Sequence, residues 1–105
     1  MAIKLVVLYP RPDDEAEFER EYLGKHLPLM RALVGPDVPL PTYRTIGTPS
    51  RLARYYRIAE IHFPARPSLQ AFVESEGGRL GRESSLRVSS GGKPTFLVCE
   101  EQEQV

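Results

Sequence analysis

Apolar residues fall along this chain in two rhythms that alternate along its length. Ile3, Leu5, Val7 and Tyr9 repeat every second position, with Val6 and Leu8 between them, so Ile3 to Tyr9 predicts a strand with both faces at least partly buried. Pro10 and Pro12 end it, since neither can donate to a ladder. The spacing then lengthens: Phe18, Tyr22, His26, Leu29 and Leu33 form one helical stripe, widened by Leu23, Leu27 and Met30. Asp13 and Asp14 are N-cap candidates, and Glu15, Glu17 and Glu19 suit the positive end of the helix. Pro28 interrupts the stripe. Its ring collides with the carbonyl of Gly24 in a regular helix, which predicts a kink between Gly24 and Pro28 with His26 at the irregular turn.

Gly35, Pro36, Pro39 and Pro41 mark a loop, and Thr42 to Gly47 reads as a second strand. Gly47-Thr48-Pro49-Ser50 is a turn. Tyr55 to Phe63 is the strongest strand pattern, with Tyr55, Arg57, Ala59, Ile61 and Phe63 on one face and Tyr56, Ile58, Glu60 and His62 on the other. Ser68 is the expected cap of a helix bearing Leu69, Phe72 and Val73, ended by Gly77-Gly78. A helical stretch from Arg79 to Val88, a Gly91-Gly92 turn and a strand over Thr95 to Cys99 complete the pattern.

Strand, helix, strand, strand, helix, strand is the ferredoxin-like βαββαβ order: an α+β fold with a four-stranded antiparallel sheet and helices on one face. At 105 residues the expectation is a single domain over residues 1–100 and a polar tail over 101–105. The uncovered sheet face is expected to carry Val6, Leu8, Tyr56, Ile58, Phe96 and Val98, or the opposite parity in another register. A second copy would cover it, predicting a homodimer.

Fourteen basic residues balance fourteen acidic ones, which argues against nucleic acid as a partner. No segment approaches the roughly 20 apolar residues of a membrane helix, and nothing at the N-terminus reads as a signal peptide, so the expected setting is cytoplasmic. Cys99 is the single cysteine, so no internal disulfide can form. With two histidines and no cysteine pair, no metal site is expected. Neither glycine pair carries a phosphate-loop or dinucleotide signature, and no cofactor is expected.

The first strand with Pro10 and Pro12, the run Phe18…Tyr22…His26-Leu27-Pro28-Leu29, Gly47-Thr48-Pro49, the strand Tyr55 to Phe63 and the closing Gly91-Gly92 strand together resemble the EthD family. That resemblance implies the dimeric α+β barrel, in which two ferredoxin-like sheets face each other. Related barrels span mono-oxygenases, cyclases, isomerases, haem-degrading enzymes and stress proteins, so the fold alone does not choose a reaction.

His26 is the leading chemical candidate, either as a neutral base for a phenol, an enol or a carbon beside a carbonyl, or as a group satisfied by backbone freed at the kink. Tyr22, one turn away, is the candidate oxygen anchor, or a core tyrosine. By the resemblance, a pocket between helix and sheet would be lined by Tyr9, Phe18, Leu29 and Phe72 and would hold a small apolar compound for oxidative or enolising chemistry. The alternative is a non-catalytic protein that holds a hydrophobic intermediate, and a third is haem held by His26. Glu60 and His62, two apart on one strand, read as an interface pair. Arg51, Arg54 and Arg57 are either an anion-attracting mouth or solvated charge.

Overall fold

The computed structural model describes residues 2–102. Its elements are β1 (Ile3–Pro10), α1 (Glu15–Glu21), a π-helical turn (Tyr22–His26), α2 (Leu27–Val34), β2 (Thr42–Arg44), β3 (Tyr55–Phe63), α3 (Arg66–Glu74), α4 (Glu76–Val88) and β4 (Thr95–Glu100). The strands form one sheet in the order β2-β3-β1-β4, with every neighbouring pair antiparallel. That is the ferredoxin-like topology. No helix among the described residues is long and apolar enough to cross a membrane.

One turn of helix governs the site. Asp14 caps α1, its carboxylate accepting from the Glu17 amide at 3.0 Å. Past Glu21 the ladder widens, and the Leu27 amide reaches back five residues to the Tyr22 carbonyl. The disturbance expected at Pro28 is thus a π turn, a common way of fitting a ring that cannot sit against the preceding carbonyl. In a regular helix residues four apart drift by about 40°. The wide turn offsets that drift, so Phe18, Tyr22, His26 and Met30 all stay buried on one face. Leu29 leaves the stripe for the same reason and is only partly buried.

The core has two parts. Ile3, Met30, Ile61, Phe63 and Leu69 pack under α2 and α3, while Val7, Tyr9, Phe18, Tyr22 and Tyr56 pack under α1 and the π turn. Tyr56 corrects the expected parity. Between Tyr9 and Pro10 the pairing steps, so Tyr9 faces Arg57 and Pro10 faces Tyr55, and Tyr56 is the extra residue of a bulge. The bulge turns Tyr56 toward α1, where its hydroxyl donates to Glu19 at 2.6 Å. Phe96 and Val98 also change sides: they pair with Val7 and Leu5 and share the helix-covered face, while Leu97 pairs with Val6 on the bare one. The bare face is therefore apolar at Val6, Leu8, Tyr43, Ile58 and Leu97. It is polar at Lys4, Glu60 and His62, where Glu60 accepts from His62 at 2.7 Å and pairs with Lys4 at 3.7 Å.

The second helical region departs from expectation at both marks. Helix α3 begins at Arg66 behind Ala65, with Ser68 inside its first turn and bonded back to Ala65. Gly77-Gly78 do not stop it; Ser75 does, and also caps α4 by accepting from the Gly78 amide. A side chain at Gly78 would meet the Phe72 carbonyl at 2.1 Å, so glycine serves here as the close-approach residue of the α3–α4 corner. Strand β2 stops at Arg44, short of the expected Gly47, whose φ of 149° turns the chain away. Of the expected tail, Glu101 still donates to Ala2, and residues 103–105 lie outside the described residues.

Candidate functional site

The π turn, β1 and α4 converge on one buried polar cluster. His26 is 4% exposed. Its Nδ1 lies 2.7 Å from Ser84 Oγ and its Nε2 lies 3.3 Å from Tyr9 Oη. Tyr9 in turn donates to Ser85 Oγ at 3.2 Å, and Ser85 donates to the Gly81 carbonyl at 3.0 Å. Hydrogens are assigned from this network. With the Tyr9 and Ser85 hydrogens committed, Nε2–H donates to Tyr9 and Ser84 donates to Nδ1. The imidazole is neutral: burial without a compensating charge pulls its pKa down to about 4. Burial likewise pushes the Tyr9 phenol well above the usual tyrosine range.

Tyr22 stands beside this cluster, its ring 5.2 Å from the imidazole centroid, but its hydroxyl is turned away to Thr42 Oγ1 at 3.2 Å. The Arg57 guanidinium lies 4.7 Å above the Tyr22 ring and grips both oxygens of Glu19, at 2.8 and 2.7 Å. Arg57 is 5% exposed and its Nε has no partner among the described residues. The role of Arg57 is therefore internal: it ties β3 to α1 and does not join Arg51 and Arg54 on the surface.

Between the sheet and helices α2–α4 lies a cavity of about 420 Å³. Leu5, Val7, Ile61, Phe72 and Phe96 give it apolar walls, Tyr9, Tyr22, His26 and Ser85 form its inner end, and Glu74, Glu76, Arg79 and Arg82 surround its mouth. Its size and lining suit a small organic molecule. A second cleft of about 310 Å³ lies on the far side of His26, bordered by Phe18, Ser84 and the acidic residues Asp13, Asp14, Glu17 and Glu21. His26 borders both spaces.

Of the residues expected at the site, Tyr9, Tyr22, His26 and Phe72 meet at the main cavity. Phe18 borders the second cleft and stacks on Tyr22 at 5.5 Å, and Leu29 borders neither space. Ser84 and Ser85, which hold the imidazole network from the α4 side, escaped the sequence reading. Two serines in a charged helix read as solvent-facing, and the usable signal was Gly81, whose missing side chain leaves room for Met30. No group of three metal-binding side chains occurs among the described residues.

A scan against protein-family models finds no match, and a search of curated proteins finds none either. Solved structures define the class. A dimeric ferredoxin-like protein of unknown function from Jannaschia sp. CCS1 aligns with TM-score 0.72 and 12% identity over 96% of this chain and 100% of its own. An EthD family protein from Bacillus halodurans C-125 aligns with TM-score 0.87 and 26% identity, over 97% of this chain and all of its own. An EthD-like protein from Ralstonia eutropha JMP134 gives 0.71 and 14%, over 94% and 90%. The EthD resemblance read from the motifs thus holds over nearly the whole chain.

Proposed function

We propose that the protein is an EthD-like homodimer that takes a small, largely apolar organic molecule into the cavity and moves a proton on it through His26. The observation that carries this reading is a neutral imidazole at the inner end of an apolar cavity of about 420 Å³. A base must be uncharged at working pH, and burial keeps His26 so down to about pH 4. To serve the cavity it takes the tautomer in which Nδ1–H donates to Ser84 and Nε2 receives the proton by way of the Tyr9 hydroxyl. Enolisation beside a carbonyl, leading to cyclisation or isomerisation, and deprotonation ahead of reaction with oxygen share that first step. Tyr22, with its hydroxyl held by Thr42, supports the wall, and Tyr9 is the hydroxyl bonded to the imidazole.

A second reading, binding without chemistry, draws on the fact that both imidazole nitrogens already have partners. Ligand-observed NMR with naphthalene and 1-tetralone tests what the readings share. Both compounds should bind the native protein and not Ala59→Phe, which fills the cavity from β3. Failure of either compound to bind sinks both readings. His26→Gln then separates them: unchanged 1-tetralone affinity with loss of α-proton exchange into deuterated solvent supports proton transfer. Retained exchange removes His26 from it.

A further inference from the structure

Segment 45–54, between β2 and β3, carries Ile46 and Leu52 at 85% and 70% exposure, the two most exposed large apolar side chains among the described residues. The segment is held in shape. Thr45 bonds back to Tyr56, and Thr48 bonds across to Arg51 through both its amide and its hydroxyl. On the opposite edge of the sheet, β4 is uncovered on both faces. Phe96 and Val98 share the helix side with Val7, yet they are 38% and 48% exposed where Val7 is 5%, because the helices pack over β1 and β3. Phe96 also borders the cavity mouth.

We infer that segment 45–54 of one copy wraps the open edge of β4 in a second copy, seating Leu52 against Phe96 and closing the partner's cavity. The inference rests on the homodimer proposed above. Two sheets stacked by a two-fold axis have two choices. An axis across the strands sets β2 on β2 and leaves Ile46 and Leu52 in water. An axis along the strands sets β2 of one copy beside β4 of the other, with like ends together. Arg44 is level with Arg57, Arg57 with Tyr9 and Leu8 with Thr95, so the segment starts at the end where β4 begins. The apolar end of the bare face, at Tyr43, Ile58 and Leu8, lies at that same end and makes one continuous surface with the segment.

The test places Leu52→Cys and Phe96→Cys together in a Cys99→Ser background and treats the protein with a short bismaleimide. Both are surface positions. Ala53 and Arg54 are bonded to Arg11 at the end of β1, the neighbour of β4, so the readout is a two-chain product under denaturing conditions, which linkage within one chain cannot give. The double variant should give a covalent two-chain product and each single variant should not. Linkage by Leu52→Cys alone seats Leu52 against its own counterpart rather than against Phe96 and overturns the inference. A two-chain native mass without linkage overturns it too but leaves the homodimer standing, whereas a one-chain native mass removes both. Leu52→Ser should weaken naphthalene binding at least fivefold; unchanged affinity removes the segment from the mouth.

Discussion

At the scale of single residues, burial at His26 makes the proton balance of the folded and unfolded chain differ. Unfolded, the ring protonates near its ordinary pKa of about 6.5; folded, it protonates at about 4. Between those values the unfolded state binds more protons, so stability rises with pH and is lost as pH falls through the window, by at most about 3 kcal/mol. Urea unfolding of the native protein should show that slope, and His26→Gln should flatten it; an equal slope in both would assign the acid sensitivity elsewhere. Arg57 offers a second case. Glu19→Ala leaves a buried guanidinium without its carboxylate and should cost about 3 kcal/mol, by loss of a partly shielded ion pair. A cost below about 0.5 kcal/mol would mean that water replaces the carboxylate.

At the scale of elements, two glycines in helical backbone should respond with opposite sign. At Gly24, inside the π turn, an added methyl meets nothing within 4 Å, so Gly24→Ala should stabilise by about 0.5–1 kcal/mol. At Gly78 it meets the Phe72 and Val73 carbonyls at 2.1 and 2.9 Å, so Gly78→Ala should destabilise by about 2 kcal/mol or more as the α3–α4 corner opens. Thermal unfolding of the two variants checks both; a Gly78→Ala variant as stable as the native protein would contradict the close packing at that corner, and a destabilised Gly24→Ala would contradict the open space at the π turn. The periodicity of β1, β3 and the first helix was legible in the sequence because burial alternates or recurs there without interruption. Tyr56 and Leu29 were not, because each sits at a local irregularity: Tyr56 is the extra residue of a bulge that reverses strand parity, and Leu29 follows a π turn that rotates a helix face. Neither event leaves a compositional mark of its own. Gly77-Gly78 misled because paired glycines more often end a helix than admit a neighbour's backbone. Ser84 and Ser85 were invisible because partners 58 and 76 residues away make them part of the site.

At the scale of the whole molecule, the helices cover only one face of the sheet, and the other presents Tyr43, Ile58, Leu8, Val6 and Leu97 with little to shield them. An apolar patch of that kind is a surface made for association. The EthD family neighbour from Bacillus halodurans shares the fold over its full length, and the Jannaschia neighbour is a dimeric protein. The proposed homodimer, joined through this face, keeps both cavities on its outer sides, on the helix-covered face of each sheet. Leu97→Asp places a charge in the middle of that face and should shift the assembly to single chains by at least a hundredfold in dissociation constant, read by sedimentation. Native mass spectrometry in the presence of naphthalene is the most direct single measurement. The account predicts a two-chain mass that gains one naphthalene per chain; a one-chain mass at every concentration, or a pair that takes up none, would contradict it.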